Sequence, residues 1–380
     1  MQSAYVVAGA MTRFTRHPHR RVEELGAEAV ALAFANTEVR RSDIDAVICA
    51  SVYGGSLIGQ RIARAVGLSG LPTYNVENAC ASGGTAVNLA MQMIRAGIHD
   101  RIVVVGVEKL SGMGSGVIPQ NADEADVRQG WNTPAAYGLK SGRYFHETGC
   151  TSRDLARVVV KNRWFGSKNP VAHFQTETSV DSVEQSRMIA TPLTLQHCCP
   201  KTDGAAAVVV SRESADSDAP PVEIIGSVVS SGAHSAAPTD TLAMTTVKRV
   251  AEELYSQIGI GPGDVDVAEV HDAFSIGEVL YYEALGWAAR GEGYRVIQDA
   301  GERIPGGPVV NPSGGLLSRG HPLGATGIAQ IVELFEQLTG RSGERQVAGA
   351  TLGLAQVTGG GIPYVDPGAV ALTALRAHGS

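Results

Sequence analysis

The sequence of 380 residues predicts an α/β fold built from two similar halves. Short runs rich in Val, Ile and Ala alternate with amphipathic stretches, which is typical of strands covered on both faces by helices. A set of short sequence patterns also occurs twice along the chain. The composition, 44% hydrophobic and 18% charged, is that of an ordinary globular protein.

The predicted elements follow from these runs. The strands are Ala4–Gly9, Ala46–Ala50, Arg101–Gly106 and Ala205–Val210, and the helices are Glu23–Asn36 and Thr85–Ala96. Because strands that are apolar on both faces are typical of parallel sheets, we expect a mostly parallel sheet flanked by helices.

The repeated pattern predicts two related halves. Cys80-Ala-Ser-Gly-Gly-Thr-Ala is echoed by His321-Pro-Leu-Gly-Ala-Thr-Gly, which aligns Gly83 with Gly324 and Thr85 with Thr326. Each copy runs into a helix, and the second helix has a more polar side formed by Gln330, Glu333 and Gln337. We expect an N-terminal half over residues 1–220, with an inserted lobe at about 111–201, and a C-terminal half over 221–380.

Charge and cysteine content narrow the class of protein. The net charge is −7 with no basic blocks, so we expect no nucleic-acid partner. No apolar run approaches the ~18–20 residues of a membrane span, and the N-terminus lacks the pattern of a signal peptide. Five scattered cysteines do not resemble a disulfide framework. A cytoplasmic protein is therefore expected.

Cys80 is the first candidate for chemistry. It lies where a predicted strand gives way to a glycine-rich helix start, and a helix N-terminus lowers the pKa of a thiol. Gly83 and Gly84 allow a large substrate close to the backbone, and helix-start amides can hold an oxyanion. The other interpretation is a small buried hydrophobic residue.

Two histidines lie at equivalent junctions. His321 directly precedes Pro322, a residue suited to the first helical position, and His271 follows a predicted strand. If the two halves are related by a pseudo-two-fold axis, Cys80 and His321 face each other across one site. The adjacent pair Cys198-Cys199 has no second pair at metal-ligand spacing and is interpreted as packing.

Together these residues resemble the thiolase superfamily over the length of the chain. The resemblance rests on Asn78-Ala-Cys80-Ala-Ser-Gly-Gly, on Gly320-His321-Pro322 and on Asn311-Pro-Ser-Gly-Gly. His271-Asp-Ala-Phe274 is similar to the sterol-carrier-protein-like thiolases and the archaeal acetyl-CoA acetyltransferases.

The resemblance implies a five-layered αβαβα fold of two similar halves plus a loop lobe, assembled as a homodimer or homotetramer. It implies that Cys80 takes an acyl group from an acyl-CoA, that His321 activates Cys80, and that His271 helps polarise a thioester oxygen. Phe274, Ser231 and Ala355 are expected to contact the substrate. Coenzyme A thioesters are substrates, and no metal or bound cofactor is expected.

One departure concerns the second catalytic cysteine of most thiolases. Gly353 occupies its place, or Val357 if the C-terminal glycines are aligned instead. Sterol-carrier thiolases carry a cysteine where this chain has Ala273. The base that removes an α-proton is then His271 or His321, and Cys198 and Cys199 stay open as alternatives.

Three functions are consistent with the sequence. The first is a thiolase-type acyl-CoA C-acyltransferase acting through an acyl group on Cys80. The second is a retro-aldol or retro-Claisen lyase acting on a bulky CoA ester without an acyl-enzyme. The third is an acyl-CoA-binding subunit that needs a partner, such as the small OB-fold protein with which members of this branch can pair.

Overall fold

The computed structural model describes residues 2–114, 116–118, 123, 125–215, 219–233, 240–299, 301–360 and 367–379. The strands are β1 (Tyr5–Met11), β2 (Ala46–Ala50), β3 (Thr73–Val76), β4 (Arg101–Lys109), β5 (Met188–Ala190), β6 (Leu193–Thr194), β7 (Asp203–Ser211), β8 (Val222–Ser231), β9 (Val267–Glu269), β10 (Val309–Val310), β11 (Leu352–Gly359) and β12 (Ala369–Ala377). The helices are α1 (Val22–Ala35), α2 (Ile58–Ala65), α3 (Ser82–Arg95), α4 (Ala125–Arg128), α5 (Thr133–Thr148), α6 (Ser152–Ser167), α7 (Val180–Glu184), α8 (Thr245–Ile258), α9 (Ser275–Ala284), α10 (Gly315–Arg319) and α11 (Leu323–Leu338).

Ten strands form one sheet with internal symmetry, in the order β10-β9-β11-β12-β8-β1-β7-β4-β2-β3. From the central β1·β8 pair outward, the series β1, β7, β4, β2, β3 corresponds to β8, β12, β11, β9, β10. Each series has two antiparallel pairs followed by two parallel pairs. The prediction of two similar halves is therefore confirmed, whereas the division at residue 220 and the insert's limits stay predictions.

The sheet is mixed, so the expectation of a mostly parallel sheet was wrong. The central β1·β8 pair is also antiparallel, which makes five antiparallel pairs against four parallel pairs within the described residues. Parallel neighbours need a crossover helix, whereas β11 returns directly as β12. An apolar run shows that both faces of a strand are covered, but not which way its neighbour runs.

The layers explain why both faces of the strands are apolar. Neighbouring residues of one strand enter different cores: Ile48 and Val104 pack in the cluster with α3 and α11, and Val47 and Val103 in the cluster with α1 and α2. Helices α3 and α11 contact strands of both halves, while α1 and α2 cover the first half and α8 the second. This is the predicted five-layered αβαβα arrangement.

Glycines let the two central helices approach closely. A Cβ on Gly83 would lie 2.9 Å from the carbonyl oxygen of Gly324, the residue aligned with it by the repeat. A Cβ on Gly106 of β4 would lie 2.3 Å from the same oxygen. The amino ends of α3 and α11 are therefore held against each other and against the sheet.

Helix α11 is buried on all sides, which corrects the expected polar side. Gln330, Glu333 and Gln337 are each at most 1% exposed. Glu333 accepts from Arg345 at 3.0 Å, and the amide of Gln337 bonds Glu333 and a backbone carbonyl. The side-chain amide of Gln330 donates to the carbonyl of Gln356 at 2.9 Å. Because Glu333 and Gln337 are paired internally and Gln330 keeps a donor bond, a helix in the central layer can carry these polar side chains.

The lobe between β4 and β7 contains α4 to α7 and the hairpin β5–β6. Helices α5 and α6 are each capped at the amino end, by Asn132 and Thr151. Helix α6 packs on α9 and α10 of the second half, so the lobe joins both halves. Within the described residues, no helix combines the length and apolar character needed to cross a bilayer.

Candidate active site

Cys80 lies in a tight turn between β3 and α3, two residues before the helix begins. Ala79 has a φ of +48°, a strained conformation for a residue with a Cβ. The turn is held by Ser82, whose hydroxyl accepts from the amide of Asn78 at 2.8 Å and donates to the carbonyl of Ala79. Residue 80 as a whole is partly exposed.

The structure brings both candidate histidines to Cys80. His271 lies two residues after β9, and His321 two residues before α11. Their ring centroids are 4.9 Å apart with the planes at 82°. The sulfur and one nitrogen of each ring lie within 4.8 Å of one another. The two halves therefore contribute a thiol and two imidazoles to one cluster, as the repeat led us to expect.

The hydrogen bonds of Thr326 define the tautomer of His321. The Thr326 hydroxyl donates its single proton to the carbonyl of Pro322 at 3.0 Å. It must therefore accept from Nδ1 of His321, which lies 2.7 Å away. Nε2 of His321 is left with its lone pair free, so the ring can accept a proton at that atom.

Both imidazoles are neutral at physiological pH. Burial lowers the pKa of His271 to about 3, and the backbone amide of this residue donates to Oε1 of Gln356 at 3.0 Å. Burial lowers the pKa of His321 well below its usual range, and the closeness of the His271 ring and of the Arg319 guanidinium disfavours a positive charge on His321 further. Nδ1 of His271 is buried without a hydrogen-bond partner.

The thiol is not acidified, contrary to the expectation from the helix start. Burial raises the pKa of Cys80 to about 12, and the carboxylates of Glu108 and Glu77 add to the rise. Hydrogen bonds from the amides of Gly360 and of Cys80 itself act in the opposite direction. Desolvation therefore outweighs the amides, and the resting cluster is a neutral thiol beside neutral imidazoles.

Two buried carboxylates hold the segments that carry these groups. Glu108 of β4 accepts from the amides of Val52 and Tyr53 at 2.9 Å and from the amide of Gly324 at 3.3 Å, which ties the first half to the start of α11. Asp272 accepts from the amides of Leu316 and Leu317 at the start of α10.

Four features of the site were not predicted from the sequence: Glu108, Asp272, Gln356 and the role of Thr326. Asp272 could have been noticed because it directly follows His271. Thr326 was seen only as part of the repeat. Glu108 and Gln356 carry no local signal, since their partners lie 56 and 85 residues away along the chain.

The three residues expected to contact substrate lie in different surroundings. Phe274 is 6% exposed and stacks on the ring of Tyr137 at 4.4 Å between centroids. Ser231 is exposed at the end of β8, two strands and so ~10 Å across the sheet from β11. Ala355 is 5% exposed in the central core. Their substrate contacts stay predictions.

The cluster of one thiol and two imidazoles also has the composition of a site for a soft cation such as Zn²⁺. The three donor atoms lie within 4.8 Å of one another, and this limit is wider than the spacing of donor atoms in a tetrahedral site. The distance alone therefore does not establish a metal site. Proton transfer and nucleophilic attack require no metal in this arrangement, and the expectation of no metal stays a prediction.

Comparisons with known proteins identify the family. Residues 4–214 match the thiolase N-terminal domain, and residues 226–364 match the thiolase C-terminal domain-like family. Benzoylsuccinyl-CoA thiolase subunit BbsB of Thauera aromatica is 37% identical over 373 residues, covering 95% of both chains. Acetyl-CoA acetyltransferase of Methanothermobacter thermautotrophicus is 36% identical over 95% of this chain and 97% of the relative.

Two further comparisons concern the branch and the fold. Sterol carrier protein 2 of Homo sapiens is 34% identical over 93% of this chain and 69% of its own length. The solved structure of the Ltp2-ChsH2(DUF35) aldolase superposes with a TM-score of 0.84 and 28% identity, over 99% of this chain and 98% of that chain. The chain belongs to the thiolase superfamily, in the branch that includes sterol carrier protein 2 and the archaeal acetyl-CoA acetyltransferases.

Proposed function

We propose that this enzyme is a thiolase-type acyltransferase that cleaves a 3-ketoacyl-CoA, or forms one in reverse, through an acyl group on Cys80. The observation that carries the proposal is the cluster in which the Cys80 sulfur lies within 4.8 Å of both imidazoles. The free lone pair on Nε2 of His321 supplies the base that a neutral thiol requires.

In the cleavage direction, the Cys80 sulfur attacks the 3-keto carbon while its proton passes to Nε2 of His321. The bond between C2 and C3 breaks, and its electron pair leaves on C2 as the enolate of the shorter CoA ester. That enolate takes a proton and departs, and the acyl group remains on sulfur. The thiol of coenzyme A then attacks the acyl carbon, and Cys80 regains its proton as the acyl-CoA leaves.

The charge that develops on oxygen meets donors already in the site. The amides of Gly360 and Cys80 lie close enough to the sulfur to act against the rise of its pKa, and they are candidates for the oxyanion hole of the acyl group. Neutral His271 and His321 can donate only through a protonated ring nitrogen. Because Nδ1 of His271 is buried without a partner, a proton on its other nitrogen is the one available to a thioester oxygen.

Cys199 is our candidate for the group that exchanges a proton with C2. Its amide donates to the carbonyl of Ala273 at 2.9 Å, so Cys199 lies beside the position where sterol-carrier thiolases carry a cysteine. Burial raises the pKa of the Cys199 thiol well above its usual range, and the nearby groups of Cys198, Asp272 and Cys80 raise it further. A thiol of high pKa is suited to protonating an enolate.

Cys199→Ala and Cys198→Ala form a matched pair for this assignment. We expect the exchange of acetyl-CoA α-protons with deuterium oxide to fall by about 10²-fold or more in Cys199→Ala and to stay near wild type in Cys198→Ala. Acylation of Cys80 should continue in both variants. Wild-type exchange in Cys199→Ala would assign the step to a histidine.

Intact-protein mass spectrometry tests the main proposal. Incubation with acetyl-CoA or a longer acyl-CoA should add one acyl mass to the protein, on the peptide that contains Cys80. Cys80→Ala should show no added mass and no thiolysis. If neither the wild type nor His321→Ala ever carries an acyl mass, the acyl-enzyme route is rejected.

A retro-aldol lyase on a bulky CoA ester is the second candidate. The raised pKa of Cys80 favours it, because that route requires no thiolate, and the 28% identity to the Ltp2-ChsH2(DUF35) aldolase adds support. The variant Cys80→Ala separates the two candidates. It should abolish thiolysis by an acyltransferase. If the enzyme is a lyase, the variant should still cleave a 3-hydroxyacyl-CoA at a near wild-type rate.

Partners are part of the same proposal. We infer a homodimer or homotetramer in the cytoplasm, and a small OB-fold protein that assists CoA binding. The aldolase with which this chain superposes is itself an Ltp2-ChsH2(DUF35) complex, and BbsB is a thiolase subunit. Turnover of CoA esters should be measured with and without the products of neighbouring genes; a pure binding subunit would stay inactive in every combination.

A further inference from the structure

A recessed arginine lies outside the catalytic cluster, on helix α6. Arg163 is 8% exposed and has no hydrogen bond or ion pair with the described residues. Its guanidinium stacks on the ring of Phe174, 3.7 Å from the ring centroid. The Nε atom is buried and has no hydrogen-bond partner among the described residues.

Two further arginines and a histidine lie near Arg163. His173 lies beside Phe174 with ring centroids 4.5 Å apart, and its Nδ1 is buried without a partner. The amide of Phe14 donates to the carbonyl of Val171 at 2.9 Å, which brings the loop carrying Arg13 and Arg16 to the same place. Arg163, Arg13 and Arg16 are close enough for their charges to lower the pKa of His173, although burial is the larger cause.

This group, Arg13, Arg16, Arg163 and His173, is called the Arg163 cluster. Among the described residues no carboxylate forms an ion pair with any of its arginines, although Arg20 of the same loop pairs with Glu28. Asp203 of the adjoining strand is already engaged, since it accepts from the amide of His17 at 2.8 Å and from Ser111. Among the described residues, the three guanidinium groups therefore form no ion pair with a carboxylate.

We propose that the Arg163 cluster is a binding site for a phosphate group. A guanidinium stacked on Phe174, with no hydrogen bond or ion pair among the described residues, has the paired N–H groups that suit a phosphate. Arg13 and Arg16, both exposed, add positive charge nearby. The site is independent of the catalytic assignment, because its residues do not belong to the thiol–imidazole cluster.

Isothermal titration calorimetry with inorganic phosphate tests this site on the full chain at fixed ionic strength. We expect one saturable site in the wild type and a dissociation constant at least about tenfold higher in Arg163→Gln. Arg20→Gln is the matched control, because that arginine lies in the same loop but is paired with Glu28. It should change the constant by less than about twofold.

Adenosine 3′,5′-bisphosphate is the second probe, and it distinguishes a phosphate carried by coenzyme A from a free one. Tighter binding of the bisphosphate than of phosphate, lost in Arg163→Gln, assigns the site to the nucleotide; equal binding assigns it to free phosphate. If Arg163→Gln does not fold, the double variant Arg13→Gln/Arg16→Gln carries the test and should also weaken binding.

Two results would overturn the proposal. One is the absence of saturable phosphate binding in the wild type. The other is binding that Arg163→Gln and the double variant leave unchanged. If the wild type binds no phosphate and Arg163→Gln shifts the protein to a smaller species in sedimentation velocity, a carboxylate of another subunit is the counterion and the site is not a ligand site.

Discussion

The substitution Thr326→Val tests whether one hydroxyl holds His321 in the tautomer that accepts a proton. Val keeps the β-branched shape within α11 but removes the oxygen 2.7 Å from Nδ1. The ring then either buries an unpaired N–H at Nδ1 or moves the proton to Nε2, where it blocks the base. An unpaired buried donor costs about 1–3 kcal/mol. If the reactive tautomer bears that whole cost, acylation of Cys80 slows by about 5- to 150-fold.

The assay is rapid quenching with acetyl-CoA, followed by mass spectrometry of the Cys80 peptide. Thr326→Ser is the control because it keeps the hydroxyl, and its acylation rate should stay within a few-fold of wild type. Denaturant unfolding of all three proteins separates a lost tautomer from a lost fold. Equal rates in Thr326→Val and wild type would refute the assignment, and so would equal losses in Thr326→Val and Thr326→Ser.

Two further predictions concern the resting charge state and the packing of the central helices. Because burial raises the pKa of Cys80 to about 12 and lowers the pKa of its base His321 well below the usual range, alkylation of Cys80 by iodoacetamide should be nearly constant from about pH 6 to 10. In His321→Ala the rate should instead rise about tenfold per pH unit; a sloping wild-type profile would contradict the paired base. Gly83→Ala puts a Cβ 2.9 Å from the backbone of α11 and should destabilise the protein by about 1–3 kcal/mol in urea unfolding. Gly142→Ala in α5 has open space and should stabilise it by about 0.5–1 kcal/mol, so a similar loss in both would point to a general intolerance of alanine.

The local sequence pattern predicted the helices and strands well where tertiary packing and intrinsic helix or strand propensity agree. The strand Ala46–Ala50 was predicted with its observed limits, and the first helix differs by one residue at each end. Helix α3 begins at Ser82, three residues before the prediction, because Gly83 and Gly84 weaken the helical signal. In the fold those glycines permit contact with α11 and β11, and tertiary packing overrides their low propensity.

The repeat predicted which residues of the site lie together, but their charge state depends on the three-dimensional structure. Aligning Cys80 with His321 led to the expectation that they face each other, and they lie in one cluster. The helix start led us to expect a thiolate, whereas burial, the carboxylate of Glu108 on β4 and that of the neighbouring Glu77 raise the pKa of the thiol. Desolvation is a sum over every neighbour in space, so no short sequence pattern contains it.

The Cys80 thiol and the His321 imidazole are both neutral in the resting enzyme. This explains how a buried thiol can act as a nucleophile without being ionised before the substrate binds. A thiolate at Cys80 alone would lie in a desolvated pocket near Glu108 and Glu77. Once a carbonyl carbon bonds to sulfur, the negative charge moves to an oxygen that amides can bind, while the proton moves to His321. Charge separation is therefore favourable only with substrate bound. This mechanism makes Cys80 slow to oxidise or alkylate in the free enzyme, because the empty site disfavours a standing thiolate and each reaction must wait for His321 to take the proton.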